Sequence, residues 1–63
     1  MYGDVLREAR KRAGVTQADV ARVAQVAPAT VGYWEQTGNI PADRRPVLAA
    51  YLREPALLNL PGV

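Results

Sequence analysis

Neither cysteine nor histidine occurs in the 63 residues of this chain. Their absence excludes disulfide frameworks, zinc sites built from Cys and His, and catalysis by a thiolate or an imidazole. The longest apolar run, residues 46–52, is far below the roughly 20 residues that span a bilayer, and the first residues lack the basic stretch and apolar block of a signal peptide. A soluble, cytoplasmic protein with no membrane partner is expected. Strand-like alternation, internal repeats, low-complexity tracts and a glycine-rich phosphate loop are also missing. The carboxylates Asp4, Glu8, Asp19, Glu35, Asp43 and Glu54 stand mostly as helix caps or charge partners. So small a chain offers no room for a pocket of about 300 Å³ or more, so no enzymatic activity, cofactor, metal or small-molecule ligand is expected.

What is present is a hydrophobic fraction of 49% against 22% charged residues, the balance of a folded domain rather than a disordered segment. A single domain over residues 1–63 is expected, near the lower size limit at which a core holds without staples, so apolar burial must carry it. Net charge is only +2, but Arg7, Arg10, Lys11 and Arg12 crowd together and Arg44 and Arg45 form a second pair. Such clusters suit phosphates, although a basic helix face is more often simply solvated.

The chain reads as successive helices. Asp4 can cap a first helix whose apolar stripe is Val5, Leu6, Ala9 and Ala13, closed by Gly14 in a left-handed conformation with Val15 folding back. Thr16 and Asp19 form a short-armed capping box before a second helix with Val20, Ala21 and Ala24 inward. Pro28 suits the first position of a third helix, in which Ala27, Val31 and Trp34 fall on one side and Ala29, Gly32, Tyr33 and Gln36 on the other. The stretch 37–41 is a turn by composition. Asp43 can then cap a fourth helix that tolerates Pro46 in its first turn and buries Val47, Leu48, Tyr51 and Leu52. A last helical piece, about 55–60, carries Leu57, Leu58 and Leu60.

The unit from about 17 to 36 is the informative one: two helices of about two turns each, joined by Gln25, Val26 and Ala27 alone. Neither is long enough to stand by itself, and so tight a connection forces a steep crossing in which the second helix projects from the body, as in a helix-turn-helix. A mere corner in an all-helical domain has the same spacing. The series Gln17, Ala21, Val26, Thr30, Val31, Trp34, Glu35 resembles the lambda-repressor/Cro-like (XRE-type) helix-turn-helix family over about residues 4–52. That resemblance implies an all-α, compact five-helix domain that binds double-stranded DNA as a repressor-like transcriptional regulator, with the third helix in the major groove.

On this reading the bases face Pro28, Ala29, Thr30, Gly32 and Tyr33. The phosphates meet Arg10, Thr16, Gln17, Gln36, Thr37, Asn39, Arg44 and Arg45. Gln17 can offer its amide and the free N–H groups of a helix start to a phosphate. Glu35 stands where the helix dipole opposes a carboxylate and therefore needs a cation; in similar family members an arginine at the place of Arg10 supplies it. The resemblance further implies a homodimer on a palindromic operator, paired through Leu57, Leu58 and Leu60.

Several positions depart from the family pattern. Relatives carry Gln, Arg, Ser or Lys on the outer face of the third helix, where this chain has proline, alanine and glycine, so readout weighted toward shape and methyl contacts is expected. Gly32 lowers helix stability by about 1 kcal/mol relative to alanine, a sign that something approaches the backbone closely. Gln25 takes the place of a turn glycine and is expected at positive φ. Asp43 and Pro46 replace leucines, so the fourth helix is expected to start about a residue away. The rival to DNA binding is a protein-interaction module of the antitoxin or anti-repressor type.

Overall fold

The computed structural model describes residues 3–59, and in them the chain forms four α-helices followed by a single 3₁₀ turn: α1 Gly3–Ala13, α2 Gln17–Ala24, α3 Pro28–Thr37, α4 Arg45–Leu52 and the 3₁₀ turn Pro55–Asn59. The all-helical expectation holds, with no strand among the described residues. The fifth element is not an α-helix. It winds as a 3₁₀ piece over five residues, short as that tighter helix ordinarily is.

Each helix end has a local cause. Gly14 (φ 73°) donates to the Lys11 carbonyl at 3.0 Å and Val15 donates to the Arg10 carbonyl at 3.2 Å, the paired bonds of a Schellman stop. At the next helix start, the Asp19 N–H donates to Thr16 Oγ1 at 3.1 Å and the Thr16 N–H donates to Asp19 Oδ2 at 3.0 Å, completing the capping box. The Thr16 N–H on the carboxylate, then the Thr16 side chain and the Arg22 guanidinium, hold Asp19 below the ordinary aspartate range. Gln25 is left-handed at φ 60°, ψ 45°, and the Val26 N–H behind it reaches the Ala21 carbonyl at 2.9 Å. The turn geometry is thus kept without glycine.

Four details differ from the sequence reading. Asp4 lies inside the first turn of α1 rather than at its cap. Arg44, not Asp43, is the N-cap of α4; Asp43 instead accepts from the Arg44 guanidinium at 3.2 Å, and Pro46 sits within the first turn. Ala13 and Ala27 are exposed, because one ends α1 and the other precedes α3, beyond the packed turns. Val47 and Tyr51 stand 37% and 39% exposed while Ala49 is buried, so the inward face of α4 is Leu48, Ala49 and Leu52. That face is turned by about one residue from the expected one, because Ala49 rather than Val47 packs on the core beside Leu48 and Leu52.

The core is Leu6, Ala9, Val20, Ala21, Ala24, Val31, Trp34, Ile40, Leu48, Ala49, Leu52 and Leu57, with Val5, Val15 and Val26 packed at its margin. Ala21 is 1% exposed where α2 meets α3, so its small side chain sets their approach. Gly3 does the same where α1 meets α3. A Cβ there would overlap the carbonyl carbon and oxygen of Glu35, atoms of a backbone that cannot yield. Leu57 is fully buried beneath α4 and closes the bottom of the core.

Candidate nucleic-acid interface

The first half of α3 sits on a preset turn: Ala27 is extended (φ −72°, ψ 149°), Pro28 fills the first helical position, and Thr30 donates to the Ala27 carbonyl at 2.9 Å. Its last turn is held by Thr37, whose hydroxyl donates to the Tyr33 carbonyl at 2.8 Å and accepts from the Asn39 N–H at 3.2 Å. Val31, Trp34 and Glu35 face the protein. Pro28, Ala29, Tyr33, Gln36 and Thr37 face solvent, with Thr30 and Gly32 half-buried at the flanks.

A polar knot ties this helix to its neighbours. Arg10 Nε lies 2.7 Å from Glu35 Oε2, and its NH2 group reaches Oε1 at 3.5 Å. The same guanidinium donates through NH1 to the Val15 carbonyl at 3.1 Å. Gln17 Nε2 donates to Glu35 Oε1 at 3.1 Å, and Arg7 Nε stands 3.7 Å from that oxygen. The Glu35 side chain is 2% exposed. A buried carboxylate is stable only when charge and hydrogen bonds surround it, and here three helices contribute. Among the described residues no buried side-chain nitrogen or oxygen lacks a partner.

Sequence reading did not place Gln17 or Arg7 at Glu35. The spacing shows that Gln17 opens α2, but only the crossing of α2 over α3 turns its amide inward. The backbone of Gln17 remains at the helix start, and its side chain is half-buried rather than stretched to solvent. Arg45 was also expected at the surface; its Nε donates to the Ile40 carbonyl at 3.0 Å and pins the loop before α4. Arg44 is paired with Asp43, whereas Gln36 and Asn39 are exposed. Thr16 keeps its exposed hydroxyl beside the start of α2.

The tightly joined pair α2 and α3, the left-handed turn at Gln25 and the outward face of α3 agree with the comparison with known families. A helix-turn-helix domain model matches residues 2–54. The chain belongs to the helix-turn-helix domain family. No curated protein and no solved structure matches this helix-turn-helix domain. The family makes it a DNA-binding domain at the coarse level of its class.

Elsewhere on the helix-turn-helix domain, the leucines expected to pair two copies separate. Leu57 belongs to the core, Leu58 is 52% exposed, and Leu60 lies outside the described residues. The surface also has clefts that its size did not promise: one of about 430 Å³ between Arg12, Val15, Tyr51 and Arg53, and one of about 380 Å³ between Pro46, Ala49, Pro55 and Leu58. Neither brings carboxylates together, whereas a third, of about 340 Å³, is bordered by Asp4, Glu8 and Glu54 with Arg12 among them. No cluster of metal-ligating residues occurs among the described residues, and no described helix is long and apolar enough to cross a membrane.

Proposed function

We propose that this helix-turn-helix domain is a sequence-specific, repressor-like regulator of transcription that sets α3 into the major groove of double-stranded DNA. The observation that carries this is the division of α3: one side is locked by Val31, Trp34 and the Glu35 knot, while the opposite side presents Pro28, Ala29 and Tyr33, exposed and uncovered by any of the described residues. A short helix backed so firmly and left bare on its outer side is built to meet a partner of fixed shape.

In this reading Ala29 touches a thymine methyl, and Tyr33 and Thr30 offer hydroxyls to base edges or sugars. The Thr16 hydroxyl, the backbone N–H of Gln17 and the side chains of Gln36, Thr37, Asn39, Arg44 and Arg45 meet the phosphates, with the outer edge of Arg10 beside them. Two copies on a palindromic operator place their α3 helices about 34–36 Å apart, one duplex turn, and exposed Leu58 offers apolar surface for their pairing. Mass measured in solution with and without a symmetric site tests the pairing; a monomer under both conditions removes it.

Affinity measured against salt tests the function itself. The logarithm of the binding constant falls with the logarithm of salt concentration by about 0.9 per phosphate neutralised, and one sequence is enriched from a random-sequence pool. A flat salt response with no enrichment overturns DNA reading and leaves the protein-interaction module.

A further inference from the structure

The outer face of α3 has few groups able to tell one base from another. Pro28, Ala29 and Gly32 carry no side-chain donor, and single hydroxyls such as those of Thr30 and Tyr33 suit several bases. Gln36 has a carboxamide but stands in the last turn, whereas recognition helices meet base edges with their N-terminal residues. A second carboxamide reaches the flank of α3 from outside it, that of Gln17.

Two observations concern this group. Gln17 Nε2 is held from behind by Glu35 Oε1 at 3.1 Å, so one amide N–H is committed inward while its carbonyl oxygen and second N–H make no further hydrogen bond within the described residues. In front of it lies Gly32. A Cβ at Gly32 would stand 3.6 Å from Gln17 Nε2, 3.7 Å from Oε1 and 4.0 Å from Cδ. Those are ordinary contacts, so packing inside the chain does not require glycine here, although glycine weakens a helix interior. An added methyl would, however, cover the carboxamide. Glycine is therefore favoured by something outside the fold.

We infer that Gly32 is an opening through which the Gln17 carboxamide reads a base edge, its oxygen accepting from adenine N6 and its second N–H donating to N7. The remaining amide edge, one oxygen and one N–H, offers the two-pronged pattern that adenine presents in the major groove and no other base matches. The inference rests on the DNA-binding reading and deepens it: an α2 residue, rather than an α3 residue, carries discrimination at one A·T pair.

Sites are selected from random DNA with the unaltered protein, Gly32→Ala and Gln17→Ala, and each protein is melted. The unaltered protein selects a fixed A·T pair, and both variants lose preference at that pair by about tenfold while other positions keep theirs. Gly32→Ala melts about 4–8 °C higher, so its loss is not one of folding. Uniform weakening of all sequences by Gln17→Ala, or an unchanged preference in Gly32→Ala, overturns the inference and leaves the DNA reading standing. No selection by the unaltered protein overturns both.

Discussion

Arg10 and Glu35, 25 residues apart in sequence, meet through a 2.7 Å contact between Nε and Oε2, and the carboxylate is 2% exposed. The pair joins α1 to α3 at the point where Gln17 brings in α2, so one anion fixes three helices. Replacing Glu35 with alanine leaves Arg10 and Gln17 without their acceptor in a half-buried place. The expected cost is about 2–4 kcal/mol, less than for a fully buried pair because the Arg10 side chain keeps some solvent. Chemical denaturation measures it, and a loss under about 0.5 kcal/mol would show that the knot adds nothing beyond a surface ion pair.

Gly3 should resist substitution by any residue. Its missing Cβ is the space occupied by the Glu35 carbonyl, so Gly3→Ala must push the start of α1 off α3. A loss of about 1–3 kcal/mol is expected, as for overpacking elsewhere. Gly14→Ala has no such obstacle but must hold φ at 73°, and about 1 kcal/mol of strain follows. Melting both variants separates close approach from backbone conformation: Gly3→Ala should lose more.

Gln25→Gly should raise stability. The left-handed backbone at φ 60° burdens a residue with a Cβ by about 1–2 kcal/mol, and the greater freedom of glycine in the unfolded chain returns part of this. A net gain of about 0.5–1 kcal/mol is expected in thermal melts, with Arg53→Gly (φ 54°) behaving alike. A drop in melting temperature for both would mean that the side chains compensate for the strain.

Acid should weaken the fold through Asp19 and Glu54. Asp19 is held low by the Thr16 N–H, and Glu54 by the Arg12 guanidinium 2.9 Å away and then the Ala56 N–H. A carboxylate whose folded pKa lies below its unfolded value adds stability above the unfolded value and loses it as pH falls through the folded one. Melting temperature should therefore hold above about pH 5 and fall below about pH 4. Asp19→Asn should flatten part of that decline; an unchanged acid limb would exclude the capping box as its source.

Ala21→Leu should separate α2 from α3 and cost about 1–3 kcal/mol, because the crossing has no free volume for three more carbons. Partial retention of DNA affinity at low temperature would distinguish loss of folding from loss of the interface.

Local chemistry made much of this architecture legible from residues alone. Gly14 after a basic turn, the Thr16–Asp19 box, Pro28 and the inward set Val20, Ala21, Ala24 each act within one helix or its end, and helical spacing settles them without knowledge of the rest. Glu35 also announced its need for a cation, since a carboxylate opposed by the helix dipole must find one. The start of α4 was less legible, because Asp43 satisfies the local capping rule, whereas Arg44, which stands at the cap, makes no side-chain capping bond and Arg45 instead donates to the Ile40 carbonyl across the loop. Leu57, Leu58 and Leu60 look alike in sequence, yet burial of Leu57 under α4 divides them.

Sequence by itself determined α1, α2 and α3, the stop at Gly14, the short two-helix unit and the residues on the outer face of α3, because these follow from spacing and caps within a few positions. Tertiary structure alone decided that Gln17 and Arg7 gather at Glu35, that Gly3 gives way to a carbonyl of α3, and that Gly32 is bare without being crowded. Those facts depend on the angle and distance between helices, which arise when all the apolar faces are buried at once and which no local pattern contains.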